Sequence, residues 1–323
     1  MSADFDFTAP DVQRRVRDVV WEAALAVDLL FDSRDFQVAS KGEQGPVTSA
    51  DLVANYICHK GLTALLPEAG WLSEESVDDT DRLERDFVWI VDPIDGTREF
   101  VKGTPEFSVS VGLAYRGEPV LGAVALPADR RILYGARGQG VRDARHGRAP
   151  ADFFAPRFRE LLKEITPQAI DEYLRENPEI RDRAVVPEFQ EYVPEISRRG
   201  ELPGSKILIS ATEERKGKFD GMRSDFGLSA SGSIARKLSL LAGGEGDLNV
   251  SLFPKNEWDI CGGTALVLAW PDTAVIELER GETVPFNRPF PISYGLAAGS
   301  RDLVERFFEY FRAGDFSLAR DYS

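Results

Sequence analysis

Apolar residues recur at helical spacing from Pro10 to about Phe31, at Val12, Val16, Val19, Val20, Ala23, Val27 and Leu30. Pro10 suits a first helical turn, where a missing N–H removes no intrahelical bond. After a loop through Ser40 to Pro46, a second helix is expected from about Thr48-Ser49-Ala50-Asp51 to Leu66, with Pro67 as the stop. The run Phe87-Val88-Trp89-Ile90-Val91 is short, apolar and partly β-branched, which predicts a buried strand ending at Asp92-Pro93. Three further strands are expected at Phe107 to Leu113, Val120 to Leu126 and Arg131 to Gly135. The turn signals Arg116-Gly117-Glu118-Pro119 and Pro127-Ala128-Asp129 separate them and predict an antiparallel meander.

From about Asp143 to Pro203 the pattern weakens into charge and proline, with faint helical periodicity at Phe158 to Ile165 and Ala169 to Leu174. The chain thus divides into an α+β half over 1–142, a partly helical insertion over 143–203 and an α/β half over 204–323. In the last segment strands are expected at Lys206 to Ser210, Asp247 to Leu252 and Thr273 to Leu278. Helices are expected at Ile234 to Leu241, Trp258 to Ala269 and Asp302 to Phe311.

Composition narrows the function. The chain has 323 residues and a formal net charge of −15, a poor basis for gripping a nucleic-acid polymer or an anionic membrane. An anionic small substrate stays open, because bound divalent cations reverse the sign locally. The two cysteines form no disulfide framework and point to a reducing, cytoplasmic setting. Two histidines cannot build a multi-histidine zinc site. The start MSADFDFTAP lacks the basic and apolar regions of a signal peptide, and no apolar run reaches membrane-spanning length.

The chemistry concentrates where the buried strand runs into Asp92-Pro93-Ile94-Asp95-Gly96-Thr97. Pro93 stiffens the exit, and Gly96 permits positive φ or close approach to a ligand. The amides of Gly96, Thr97 and Arg98 would open a helical turn suited to phosphate oxygens. The same string is also an ordinary strand-end turn. Glu74-Glu75 could be solvated surface, and Asp51 and Asp259 sit where helix-capping aspartates are common. Should these acids converge, carboxylates and carbonyls without histidine make a hard-cation set, and spacing alone does not decide convergence.

Taken together, Val47-Thr48-Ser49-Ala50-Asp51, Leu72-Ser73-Glu74-Glu75-Ser76, Trp89 to Thr97 and Trp258-Asp259 resemble the inositol monophosphatase superfamily of lithium-sensitive phosphatases. The resemblance implies a layered αβαβα fold with the site between its halves, and two or three Mg²⁺ ions per site. By that resemblance Glu74, Asp92 and the Ile94 carbonyl hold a first metal, and Asp92, Asp95 and Asp259 a second. Glu74 also touches a weaker third. Thr97 and Asp51 orient and deprotonate the attacking water, and the Gly96 and Thr97 amides bind phosphate. The substrate is a small phosphate monoester, and the family is often homodimeric.

Arg98-Glu99-Phe100, and the serine before Glu74-Glu75, look like the bacterial 3′(2′),5′-bisphosphate nucleotidase branch, which implies hydrolysis of adenosine 3′,5′-bisphosphate. Ser231-Gly232-Ser233 with Lys237 resembles that branch's substrate side. Ser251 or Leu252 stands where inositol enzymes carry a hydroxyl-binding glutamate, and Lys255 could meet a second phosphate. The alternatives are an inositol or sugar-phosphate monoesterase and, less favoured, a metal-binding relative without turnover.

Overall fold

The computed structural model describes residues 5–34, 36–42, 45–146, 189–198, 200–314 and 316–320. In chain order the first segment gives α1 (Pro10–Ser33), β1 (Val38–Ser40), β2 (Pro46–Thr48), α2 (Ser49–Leu65), β3 (Gly70–Ser73), β4 (Phe87–Asp95) and α3 (Thr97–Lys102). Then come β5 (Ser108–Tyr115), β6 (Glu118–Leu126), β7 (Arg131–Ala136), β8 (Val141–His146) and β9 (Phe189–Tyr192). The rest is β10 (Lys206–Ser210), α4 (Ala211–Arg215), β11 (Gly227–Ser231), α5 (Ile234–Ala242), β12 (Leu248–Asn256), α6 (Glu257–Leu268), β13 (Thr273–Glu277), β14 (Glu282–Thr283), β15 (Ile292–Ser300) and α7 (Arg301–Ala313).

Two large sheets organise these elements. One has seven strands in the order β3-β4-β5-β6-β7-β8-β9, antiparallel except for the parallel β3–β4 pair. The other has six, in the order β11-β10-β12-β15-β13-β14, and mixes parallel and antiparallel pairs. Helices α1 and α2 cover one face of the first sheet, α5 and α6 fill the space between the sheets, and α7 covers the outer face of the second. That is five layers, αβαβα.

The strand β4 shows why the layers form. Phe87, Trp89 and Val91 point into the core beneath α1 and α2, while Val88 and Ile90 point into the core shared with α5 and α6. A strand buried on both faces reads as a continuous apolar run, with alternation visible in the destinations of its side chains. The buried helix α6 has apolar residues all round and lies between the sheets. Its Gly262 and Gly263 allow that approach. A Cβ on Gly262 would stand 2.6 Å from Ser110 Oγ, and one on Gly263 would stand 2.4 Å from Leu238 Cβ.

The boundary expected at 143 is displaced. Strand β8 runs through His146, and β9 pairs with it, so 143–146 and 189–192, within the expected insertion, extend the seven-stranded sheet. Val141, Asp143, Ala144 and His146 are buried, Asp143 where it accepts two hydrogen bonds from Arg131 of β7, while Arg142 and Arg145 face solvent. The faint helices at 158–165 and 169–174 lie outside the described residues. Sequence reading also missed β3, β11 and β15, all glycine- or serine-containing and short of β-branched runs. Among the described residues no helix is long and apolar enough to cross a membrane.

One core acid has no catalytic neighbourhood. Asp28 lies in α1, 6% exposed, and burial followed by repulsion from Asp32 pushes its carboxyl up to about 7. A folded pKa above the unfolded value means the native state keeps a proton that the unfolded chain releases. Stability is therefore lost as pH rises from about 4 to about 7. Asp28→Asn is expected to raise the thermal midpoint at pH 8, with the gain shrinking toward pH 4. A variant that is less stable at pH 8, or equally shifted at both pH values, would contradict this.

Candidate functional site

The C-terminal end of β4 meets the starts of α2, α3, α5 and α6. Between Asp92 and Asp95 the pairing of β4 with β5 slips out of register, and Gly96 adopts φ 100°, which turns the chain directly into α3. The loop Asp92 to Thr97 is thereby held against four helix N-termini, each carrying partial positive charge.

Two of those starts explain the aspartates that looked like caps. Both are the third helical residue of a capping box rather than the cap itself. Asp51 Oδ2 accepts hydrogen bonds from Thr48 N (2.7 Å) and Thr48 Oγ1 (2.6 Å), while Asp51 Oδ1 accepts from Thr97 Oγ1 at 3.1 Å. Asp259 Oδ2 accepts from Asn256 N at 2.9 Å. The cap fixes each carboxylate's rotamer, so one interaction stabilises the helix start and aims the acid.

One carboxylate oxygen from each of Glu74, Asp92 and Asp259 lies within 4.8 Å of the other two. Glu74 follows β3, Asp92 ends the apolar part of β4 and Asp259 comes from α6, so three separate elements deliver them. Asp95 stands beside this trio with a different bonding pattern. Its Oδ2 receives Ser233 Oγ and, at 2.6 Å, Ala235 N at the start of α5. The Ile94 carbonyl accepts Thr97 Oγ1 at 2.9 Å, so the Thr97 proton is shared between Ile94 and Asp51. Glu74, Asp92, Ile94, Asp95, Gly96, Thr97, Lys237, Lys255 and Asp259 all line one cavity of about 200 Å³.

Burial dominates the electrostatics. It raises the Asp51 carboxyl to about 6, against the pull of hydrogen bonds from Thr48 and Thr97. It raises Glu74 to about 7, with Lys41 pulling down and Glu75, Asp51 and Asp95 pushing up. Asp92 and Asp259 are held well above the ordinary carboxylate range, by burial first and then by the other acids. Asp95 is raised by burial and partly restored by Ser233, Ala235 and Lys237. Acids this close cannot all ionise without a compensating charge. The donor set is all oxygen, which fits a hard divalent cation. Glu74, Asp92 and Asp259 are the residues that could hold one, with Asp95 and the Ile94 carbonyl adjacent.

Three polar residues play parts that the sequence did not reveal. Lys41, from the β1–β2 hairpin, reaches Glu74 Oε1 at 3.5 Å and also pairs with Glu75, giving the acids a resident counter-charge. Ser233 caps α5 by accepting Arg236 N at 2.9 Å, donates to Asp95 and meets Ser108 Oγ at 2.9 Å. A hydroxyl has one proton, so Ser108 donates in that last contact. Ser233 thus holds Asp95 in place rather than presenting a free hydroxyl. Glu213 of α4 accepts Ser251 Oγ and Leu252 N, the latter at 2.7 Å, and Lys255 Nζ at 3.3 Å. A carboxylate therefore stands against the very positions, 251 and 252, where the sequence lacks one. No linear signal could have found it, since α4 precedes those residues by about forty positions.

Lys237 is placed differently from the sequence expectation as well. Its Nζ donates to the carbonyls of Ser231 (3.1 Å), Gly232 (3.2 Å) and Ser233 (2.7 Å), using all three ammonium protons to brace that turn. Burial lowers its pKa to about 8. The string Arg98-Glu99-Phe100 also divides its labour. Arg98 and Glu99 line the cavity, Phe100 is buried among Phe31, Phe36 and Phe107, and Glu99 packs so closely on Gly232 that a Cβ there would lie 2.7 Å from Glu99 Cγ.

The five-layer fold is like that of solved structures of inositol monophosphatases. Residues 11–151 match the model of the inositol monophosphatase family. The chain is 36% identical over 120 residues to the 3′(2′),5′-bisphosphate nucleotidase CysQ of Salmonella typhimurium, covering 36% of this chain and 49% of that one. It is 35% identical over 132 residues to a histidinol-phosphatase of Chlorobaculum parvum, covering 41% and 50%. The chain thus spans about half the length of the curated relatives it matches. The fold matches the crystal structure of CysQ from Bacteroides thetaiotaomicron, described as a bacterial member of the inositol monophosphatase family. That match has a TM-score of 0.62 and 20% identity and covers 92% of this chain and 99% of that one.

The raised carboxyls give a sign that can be checked. Without a cation the native state holds protons that the unfolded chain releases, so the metal-stripped protein should lose stability as pH rises from about 4 through about 7. Added Mg²⁺ should reverse the loss, most strongly above pH 7. Asp92→Asn removes one buried charge, and is expected to raise the melting temperature of the stripped protein at pH 8 by several degrees while abolishing the Mg²⁺ shift. A stripped variant that melts lower than wild type, or a Mg²⁺ shift that survives, would count against the cluster as a cation site.

Proposed function

We propose that this protein is a Mg²⁺-dependent phosphate monoesterase, with a 3′(2′),5′-bisphosphate nucleotide such as adenosine 3′,5′-bisphosphate as its substrate. The observation that carries the reading is the convergence of Glu74, Asp92 and Asp259 beside the Thr97–Asp51 hydrogen bond. Glu74, Asp92 and the Ile94 carbonyl would hold one Mg²⁺, and Asp92, Asp95 and Asp259 another. Divalent cations held there supply Lewis acidity to the phosphoryl and leaving oxygens and acidify a nearby water.

The chain's own groups do the rest. The Gly96 and Thr97 amides, at the start of α3, receive phosphoryl oxygens. Thr97 Oγ1 passes its proton to Asp51 Oδ1 and in turn accepts one from the attacking water. Asp51, raised to about 6, is basic enough to take that proton near neutral pH. The water oxygen bonds to phosphorus, the ester P–O bond breaks, and the alcohol leaves with a proton from solvent. No phosphoenzyme is needed. Both cysteines, Cys58 and Cys261, are buried and their thiols are pushed up by burial, far from thiolate reactivity.

The substrate choice rests on Leu72-Ser73-Glu74-Glu75, on Arg98-Glu99-Phe100 and on the 36% identity to CysQ over 120 residues. One observation favours a second reading, an inositol or sugar-phosphate monoesterase. Glu213 supplies, from α4, a carboxylate at Ser251 and Leu252, so hydroxyl recognition there does not require a glutamate in β12.

A panel of adenosine 3′,5′-bisphosphate, inositol monophosphate, histidinol phosphate and sugar phosphates, assayed with Mg²⁺, separates the two. The bisphosphate should turn over fastest, with inhibition by Li⁺. Faster turnover of inositol monophosphate would overturn the nucleotide assignment. Phosphate release no greater than that of Asp92→Asn on every member would overturn the enzyme assignment. Thr97→Val, which removes the hydroxyl at nearly constant shape, should lower kcat by about 10²–10⁴-fold and leave Mg²⁺ binding within a few-fold. Near-normal kcat would remove Thr97 from the proton path.

A further inference from the structure

We infer that Arg82 and Glu257 are positioning residues that set the separation between Glu74 and Asp259, acids delivered to the cluster by opposite halves of the chain. The inference deepens the Mg²⁺-dependent reading and rests on it. Glu74 follows β3, and Asp259 lies in the first turn of α6. A cation held between carboxylates needs their oxygens at short, fixed distances, so whatever joins the β3 end to the start of α6 tunes its affinity.

A continuous series of hydrogen bonds makes that join. Arg82 lies in a 3₁₀ turn over Thr80–Glu84, buried, with its backbone against the start of β3: a Cβ on Gly70 would stand 2.9 Å from Arg82 Cα. Its guanidinium grips Asp78, at the far end of the turn that begins with Glu74, through Nε to Oδ1 at 2.6 Å and Nη2 to Oδ2 at 2.8 Å. It then crosses to the second half, donating from Nη1 to Asn287 Oδ1 at 2.7 Å and from Nη2 to the Arg288 carbonyl at 3.0 Å. Asn287 Nδ2 returns a bond to the Arg82 carbonyl at 3.0 Å. Glu257, fully buried, holds the same two residues from the other side. It accepts Asn287 N at 2.6 Å, Arg288 N at 3.1 Å and Arg288 Nε at 2.9 Å. Glu257 is the first residue of α6, just ahead of Trp258 and Asp259.

Stability alone does not account for this arrangement. The desolvation of buried charges can outweigh their mutual attraction, so a buried ion pair is weak evidence for stability. What Arg82 provides that an apolar side chain would not is geometry. Its planar fork is bidentate on Asp78 while it bonds residues 287 and 288, which ties the turn after Glu74 to the residues that Glu257 holds. The same turn is fixed from its other side, where Ser76 Oγ accepts from Asn55 Nδ2 of α2 and Trp71 Nε1 of β3, both at 3.1 Å. Glu74 is therefore anchored before a cation arrives, and Asp259 is anchored relative to it.

The test titrates Mn²⁺ alone into the full chain and counts the free ion by its electron paramagnetic resonance signal, below the melting temperature of every variant. Arg82→Met and Glu257→Gln should each weaken Mn²⁺ binding about 10–100-fold. The double variant should lose no more than the worse single one, because both side chains act through residues 287 and 288. Asn287→Gly removes the shared side chain at a φ of 58°, which glycine adopts freely, so it probes the same link with little risk to folding, and it too should weaken binding. Unchanged dissociation constants with only the melting temperature lowered would make the network purely structural and overturn the inference. Losses that add in the double variant would overturn it as well. Either result leaves the proposed function standing, whereas a wild type that binds no Mn²⁺ overturns the cation site and this inference with it.

Discussion

The mutual repulsion of buried carboxylates is the constraint on which the rest of this structure turns. Asp51 and Asp92 are 1% and 2% exposed, and Glu74, Asp95 and Asp259 crowd the same cavity. Burial and proximity both oppose ionisation, and the nearby ammoniums of Lys41, Lys237 and Lys255 offset the crowding of acids only in part. Such a cluster costs stability in its own right and persists because the surrounding structure over-determines it. Its Glu74, Asp92 and Asp259 oxygens are close enough together that they could hold a divalent cation.

The fold supplies that over-determination through helix starts. α2 and α6 each place an aspartate at the third position of a capping box, and α5 offers a backbone amide and a capping serine to Asp95. Capping interactions of about 1 kcal/mol each thus also orient acids that would otherwise turn away from one another. The close packing of α6 against β5 and α5, permitted by Gly262 and Gly263, sets the depth at which Asp259 arrives. Ser233 and Glu99 tie the α5 side to the β4 side, so the two sheets are fastened at the site itself.

Much of this was legible in the sequence, and the limits have physical causes. The strand Phe87 to Val91 and the helices α1, α2, α5, α6 and α7 could be read because periodicity and punctuation agreed there. Asp51, Glu74, Asp92, Asp95, Thr97 and Asp259 could be named from motifs, and the cavity contains all of them except Asp51, which touches Thr97 from behind. The strands β3, β11 and β15 were missed because their burial comes from neighbours rather than from β-branched side chains. The uses of Lys237 and Ser233 were not legible, since what an ammonium or hydroxyl donates to depends on which carbonyl or carboxylate the fold brings up. Glu213 shows the same limit from the other direction. A carboxylate absent from one strand is delivered by another element, and spacing along the chain does not encode that.

The central claim is that Glu74, Asp92 and Asp259 form a cation site at which the reaction is centred. Crystals grown with Mn²⁺, measured at the manganese absorption edge, test it most directly. The account predicts anomalous peaks within coordination distance of Asp92 and shared with Glu74 on one side and Asp259 on the other, lost in Asp92→Asn. An absence of anomalous density in the cluster at saturating Mn²⁺, with the carboxylates unmoved, would contradict it.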